Sequence, residues 1–215
     1  NDGVLPLKAE SSIAVIGPNA ACIYNQLGDY TPAQRPGTGV TLLEGLRQEL
    51  GREIPFEQGC TVCGGETDGI PRAVELAKES DVVVLALGGS SSRFAGAVFD
   101  SNGAAVVSGR VEMDCGEGVD SPSLTLPGAQ EELAERIFAL GKPVVTVVIA
   151  GRPYAIPEIC ERSQAVVYAF YPGPMGGKAL AEILLGKLSP SGRLPASLPK
   201  SAGHLPCYYN YKSSA

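Results

Sequence analysis

The sequence predicts an α/β fold: a three-layer sandwich in which a mostly parallel sheet of about six strands carries helices on both faces. Three observations carry that expectation. Aliphatic runs at 12–17, 81–87, 142–149 and 165–170 show no period-two alternation, as strands buried on both faces require. Segments with apolar residues at helical spacing separate them. The chain is also rich in turn formers and poor in aromatics, with 27 glycines, 17 prolines and no tryptophan in 215 residues.

The elements follow in order. Ser12-Ile-Ala-Val-Ile-Gly17 is a short apolar run closed by glycine and reads as the first strand. Thr41-Leu-Leu-Glu44 has the spacing of a capping box, and Leu42, Leu43, Leu46 and Leu50 then recur at helical intervals before Gly51, which gives a helix of about three turns. Residues 54–56 form a short strand candidate, and Pro71 opens a second helix with Val74 and Ala77 toward the sheet. The run 81–87 is the next strand. Pro127 is expected to begin a helix lined by Ala129, Leu133, Ile137 and Leu140, with Gly141 ending it in the left-handed conformation. Residues 142–149 return as a central strand and 165–170 as another. A helix over 176–185 carries the stripe Ala179, Leu180, Ile183 and Leu184, and residues 194–198 are expected to close the sheet. No repeat and no low-complexity tract interrupts this order, and 44% apolar residues suffice for one core, so residues 1–215 are expected to form a single domain.

Composition excludes several function classes. A net charge of −6 opposes binding to a phosphate backbone, which depends on Lys and Arg displacing counterions, so no nucleic-acid partner is expected. No apolar run approaches the roughly 20 residues that span a bilayer, and no leader opens the sequence, so no membrane partner is expected either. The six cysteines are irregularly spaced and do not suggest a disulfide framework, which favours a reducing compartment. Cys60-x-x-Cys63 has redox or metal spacing, yet His204 is the single histidine in the chain and no second cysteine pair accompanies it. Free thiols are expected, with no metal and no cofactor.

One stretch departs from this economy. Between Leu87 and Pro127 lies a segment rich in Gly, Ser and Asp with neither helical nor strand period, far longer than the usual connection of about five residues. It leaves the carboxyl end of a strand, where open α/β sheets place ligand clefts. It carries Arg93, Phe94, Asp100, Arg110, Glu112, Asp114, Glu117 and Asp120, with Glu117 set between two glycines in Cys115-Gly-Glu-Gly118. A carboxyl on so bare a backbone can approach a substrate closely, and serves as a general acid if its surroundings favour the protonated form.

Several separated segments together carry a family resemblance. They are Asn1-Asp-Gly-Val-Leu-Pro-Leu7, Ile13-Ala-Val-Ile-Gly-Pro-Asn19, Gly28-Asp-Tyr30, Cys115-Gly-Glu-Gly-Val-Asp120, Leu124-Thr-Leu-Pro-Gly128, Gly151-Arg-Pro153, Tyr171-Pro-Gly173, Gly176-Gly177 and Ser189-Pro-Ser-Gly-Arg-Leu-Pro195. In this order, over nearly the whole chain, they resemble the second, α/β sandwich domain of family 3 glycoside hydrolases. The resemblance implies a retaining β-glycosidase, with β-glucoside or oligosaccharide as substrate. A TIM barrel would provide the aspartate nucleophile and this domain the glutamate acid/base, the two carboxyl groups lying about 5–5.5 Å apart across the sugar. By the same resemblance Glu117 matches the acid/base, Glu112 is the reserve, and Asp120 is assigned to substrate binding; Arg93 and Phe94, just past the end of the 81–87 strand, are assigned to substrate binding by that position, within reach of the sugar or its aglycone. The family pattern often continues Asp-Arg, whereas here Asp120 precedes Ser121.

The chain holds no second run of βα units from which a barrel of about 250 residues could be made, so the nucleophile is expected on a missing N-terminal barrel and the isolated chain is expected to be inactive. A following β module is expected after Tyr208-Tyr209, and self-association through the face meant for the barrel is a further expectation. Two rival readings stand beside this one. Pro36-Gly-Thr-Gly39 before a capped helix suggests a nucleotide- or anion-binding module, although neither a Walker loop nor a dinucleotide fingerprint is present. The other is a module whose only role is to dock another domain. The glycines at 173, 176 and 177 are read as packing and turn residues, and Arg152 and Arg193 as ties between loops.

Overall fold

The computed structural model describes residues 1–32, 34–35, 37–92, 98–99, 101–102, 105–106 and 112–210. Its elements are β1 (Ile13–Ile16), α1 (Ile23–Leu27), α2 (Leu42–Leu50), β2 (Phe56–Glu57), α3 (Ile70–Lys78), β3 (Val82–Gly88), β4 (Val98–Phe99), β5 (Ala105–Val106), α4 (Gln130–Phe138), β6 (Val144–Ile149), α5 (Pro157–Arg162), β7 (Ala165–Phe170) and α6 (Gly176–Leu184). Among the described residues, five strands form one parallel sheet in the order β2-β1-β3-β6-β7, and β4 pairs antiparallel with β5 apart from it.

Every residue of β1, β3 and β6 is buried. Because successive side chains point to opposite faces, each of these strands feeds two cores. Ala14, Ile16, Val83, Leu85, Leu87 and Val148 meet Ala73 and Ala77 of α3, Leu133 and Ile137 of α4, and Ile159 of α5 on one side. Ile13, Val15, Val84, Ala86, Val145 and Val147 meet Leu42, Leu43 and Leu46 of α2 and Leu180, Ala181 and Leu184 of α6 on the other. The three expected layers are therefore present.

Glycines set how closely the second layer packs. A Cβ on Gly45 would lie 2.2 Å from the carbonyl oxygen of Gly177, and one on Gly177 would lie 2.1 Å from that of Thr41. Helices α2 and α6 thus meet backbone to backbone, as read from the sequence for Gly177.

Two expectations change, and two short helices are added. The sheet has five strands rather than six, because residues 194–198 form no strand: Pro190, Pro195 and Pro199 remove the amides that a ladder would use, and Leu194 is 42% exposed. Helix α4 starts at Gln130 instead of Pro127, since Gly128 adopts φ +65° where the backbone passes Gly64. The short helices α1 and α5 carry too few residues to show a period in the sequence.

The capping box at α2 is complete. Thr41 Oγ1 accepts from the Glu44 amide at 3.3 Å and Glu44 Oε2 accepts from the Thr41 amide at 2.7 Å, with Gly51 closing the helix at φ +63°. Replacing Thr41 by alanine removes one of these bonds and is expected to cost about 1 kcal/mol, read as a lower urea midpoint at unchanged slope. An unchanged midpoint would show that the cap contributes nothing.

Candidate functional site

Strand order reverses between β1 and β3: after β1 the chain adds β2 on one side and β3 on the other. Connections leaving these two carboxyl ends diverge, the arrangement beside which open α/β sheets place their ligands. Two buried amide side chains fix this edge. Asn19, just past β1, donates through Nδ2 to the carbonyls of Gly89 (3.1 Å) and Ile149 (2.9 Å), and its Oδ1 accepts from Asn25. Gln130, at the start of α4, accepts from the Gly88 amide at 2.9 Å and donates to the Gly88 and Val62 carbonyls. Strand β3 itself ends at Gly88, whose φ of +141° and closeness to the Ile149 carbonyl leave no room for a side chain.

The long connection returns to this edge at Asp114, which is 6% exposed. Its amide donates to the Ser90 carbonyl at 3.0 Å, and its Oδ1 accepts from the Ser90 amide at 2.9 Å. Tyr154, fully buried, donates its hydroxyl to Asp114 Oδ2. Burial, reinforced by the Asp114 charge, pushes the Tyr154 phenol upward, so it stays protonated and keeps donating. Arg152 donates to the carbonyls of Asp114 (3.5 Å) and Ser123 (3.0 Å), the loop-tying role expected for it.

From this anchor the chain makes a tight excursion. Val119 donates its amide to the Gly116 carbonyl at 3.2 Å, closing a four-residue turn with Glu117 at its tip and Gly118 at φ +74° in the position where such turns favour glycine. Glu117 is exposed. Its Oε2 accepts from the Tyr30 hydroxyl at 2.7 Å, and its amide donates to Asp29 Oδ2 at 3.0 Å. Beneath the turn, Cys115 Sγ lies 3.5 Å from the Tyr171 hydroxyl, and burial raises both the thiol and the phenol.

The other sequence candidates fall differently. Glu112 is half-buried and turned toward the 60–63 segment, where its Oε2 accepts from the Cys63 amide at 2.9 Å. Asp120 is exposed on the returning arm of the Glu117 turn. Arg93 and Phe94 lie outside the described residues. Asn19, Asp29, Tyr30 and Gln130 were not singled out from the sequence as site residues, although Asn19 and the Asp29-Tyr30 pair stand inside quoted motifs. A polar side chain just past a buried strand, such as Asn19, was the available signal.

Gly37 has open space around it at φ +78°, a turn conformation, whereas Gly39 serves packing. A Cβ on Gly39 would lie 2.6 Å from Ile23 Cδ1 and 2.8 Å from the Pro174 carbonyl. The first amides of α2 are already taken: Leu42 donates to Gln26 Oε1, Leu43 to the Ala20 carbonyl and Glu44 to Thr41. An anion would find these donors occupied, so the phosphate-site reading loses its physical basis.

Chemically, the edge offers a solvent-facing carboxyl on a rigid turn, oriented by a phenol and able to give or take a proton from a group approaching from outside. Among the described residues no group of three or more His, Cys, Asp or Glu is placed to hold a metal ion.

Comparison with known proteins agrees with this layout. The family model described as the glycosyl hydrolase family 3 C-terminal domain matches residues 1–215. A β-xylosidase from Formosa agariphila is 34% identical over 97% of this chain and 27% of its own length, and a periplasmic β-glucosidase from Salmonella typhimurium is 31% identical over 96% and 27%. The chain spans about a quarter of the length of these curated relatives. Among solved structures, a β-glucosidase from Listeria innocua superposes with a TM-score of 0.78 at 29% identity, over 97% of this chain and 25% of that one. One from Erythrobacter marinus gives 0.74 at 37% identity, over 96% and 28%.

The 60–63 segment that Glu112 holds yields a pH test. Cys60 is 7% exposed, and burial, with a smaller contribution from the Glu112 charge, pushes its thiol up to about 12. The folded state therefore keeps a proton that the unfolded chain releases near pH 8.5. Stability from this group is complete below that pH and is lost as pH rises toward 12, by no more than about 1.4 kcal/mol per pH unit. Urea midpoints between pH 8 and 11.5 are expected to fall less steeply in Cys60→Ala than in the parent chain; parallel profiles would contradict the assignment.

Proposed function

The chain belongs to glycoside hydrolase family 3, as its C-terminal domain, and on that premise we propose that it is the acid/base half of a retaining β-glycosidase active site, with Glu117 as the proton donor and acceptor. The observation that carries this is the place of Glu117: exposed at the tip of a glycine-bracketed turn, on the carboxyl edge of the sheet, and held there by Tyr30 and Asp29. A domain that supplies one carboxyl to a shared site needs it outside its own core and fixed in direction.

In the proposed cycle an N-terminal TIM barrel holds the sugar and the nucleophilic aspartate. That carboxylate attacks the anomeric carbon, the glycosidic bond breaks, and Glu117 gives its proton to the leaving oxygen. Glu117, now a carboxylate, then takes a proton from water as the water oxygen attacks the same carbon and displaces the aspartate. Asp120 and, outside the described residues, Arg93 and Phe94 are proposed to border the leaving-group side. The relatives are named for both β-glucosides and β-xylosides, so both are the substrates to assay, with β-glucoside as our first choice. Supplying only one of two carboxyl groups, the isolated chain is proposed to be inactive. Self-association through the face that would meet the barrel, and a β module after this domain, belong to the same proposal.

Glu112 is read as an anchor for the Cys63 turn, not as the proton donor, because its carboxylate accepts a main-chain amide away from the Glu117 tip. In the full-length enzyme, Glu117→Gln is expected to lower kcat/KM on phenyl β-glycosides by at least about 10²-fold, and on the 2,4-dinitrophenyl glycoside, whose leaving group needs no proton, azide is expected to raise its kcat and give the glycosyl azide. Glu112→Gln is expected to stay within about fivefold of the parent enzyme. Near-normal activity of the Glu117 variant, or the reverse ranking, would overturn the assignment.

A further inference from the structure

We propose that Asp29 and Tyr30 form a clasp that positions the Glu117 carboxyl, with Tyr30 as a positioning residue for the proton transfer; this rests on the reading of Glu117 as acid/base. Two features of Tyr30 are hard to account for otherwise. Its side chain is 81% exposed, so burial does not hold it in place. Its backbone sits at φ +54°, in the left-handed region that few residues other than glycine adopt, and such strain persists only where surrounding bonds determine it.

The bonds that determine it close a ring. Asp29 Oδ1 accepts from the Tyr30 amide at 2.9 Å, which holds the strained residue. Asp29 Oδ2 accepts from the Glu117 amide at 3.0 Å, which holds the turn. The Tyr30 hydroxyl then reaches Glu117 Oε2 at 2.7 Å and fixes the plane of the carboxyl. One carboxylate thus locates both main chains, and one phenol locates the reacting group.

The two arms also share a floor. Tyr171 lies where a Cβ on Gly28 would come within 2.7 Å of its ring and one on Gly151 within 2.4 Å, while its hydroxyl touches Cys115. The arm that ends in Tyr30 and the arm that ends in Glu117 therefore rest on one half-buried ring.

The clasp suits both halves of the cycle. When Glu117 is the neutral acid with its proton on Oε1, Oε2 is a carbonyl oxygen and accepts from Tyr30; when Glu117 is a carboxylate, Oε2 still accepts. The phenol never gives up its proton. Its effect is to keep the carboxyl within reach of the leaving oxygen, where misplacement by about 1 Å is costly.

The test uses the full-length enzyme and aryl β-glycosides whose leaving phenols span a wide range of acidity. Tyr30→Phe keeps the ring and removes only the hydroxyl. It is expected to lower kcat/KM about tenfold on the phenyl glycoside and less than about twofold on the 2,4-dinitrophenyl glycoside, which needs no proton. Asp29→Asn, which cannot accept through both terminal atoms, is expected to show the same selectivity. Equal losses on every leaving group, or none on any, would overturn the clasp. Glu117→Gln assayed in parallel separates the two claims: if it lacks leaving-group selectivity, the acid/base reading falls; if it shows that selectivity and Tyr30→Phe does not, only the clasp falls.

Discussion

Strands β1, β3 and β6 are covered by helices on both faces, and this one constraint dictates where chemistry can occur. With every strand side chain committed to a core, a polar group placed along the strands would be buried without a partner. Thr146 is the exception, and its hydroxyl is paired with that of Ser163 at 2.7 Å. Polar function is displaced to the ends of the strands. The carboxyl ends are favoured because the reversal of strand order between β1 and β3 separates the connections there.

That edge is then made rigid by buried polar side chains, not by apolar packing. Asn19 and Gln130 satisfy carbonyls and amides where β3 and β6 stop, and Asp114 pins the returning chain to Ser90. Each makes two or more bonds, so each links segments far apart in sequence. Removing any of them would leave partners buried and unsatisfied, which costs more than the lost bond itself. The result is a firm base from which a single exposed glutamate projects, held by a tyrosine that is itself out in solvent.

Much of this was legible in the sequence, for definite reasons. The double-sided burial of β3 and β6 required uninterrupted aliphatic runs, and the capping box of α2 required Thr41 and Glu44 three residues apart; both patterns can be seen without coordinates. The region of the candidate site was marked in the sequence as well, as a long stretch without period after a buried strand. The ring formed by Asp29, Tyr30 and Glu117 was not. Its members are separated by 87 residues, and neither an exposed tyrosine nor an aspartate in a turn differs in sequence from an ordinary surface residue. The sixth strand was expected because Leu194 and Leu198 are apolar, while the prolines around them decide against a ladder. Helix α1 has no apolar stripe to mark it, because its buried residues, Asn25 and Gln26, are polar and serve as hydrogen-bonding struts.

The assignment places one carboxyl of a two-carboxyl site on this domain, so the decisive quantity is a distance across a bound sugar. A crystal structure of the full-length enzyme with an uncleaved thioglycoside would measure it directly. The account predicts a Glu117 oxygen at hydrogen-bonding range, roughly 3 Å, from the bridging sulfur, Tyr30 still bonded to the same carboxyl, and a barrel aspartate about 5–5.5 Å from Glu117 on the opposite face of the sugar. A different carboxyl at the sulfur, with Glu117 facing solvent away from the ligand, would contradict it.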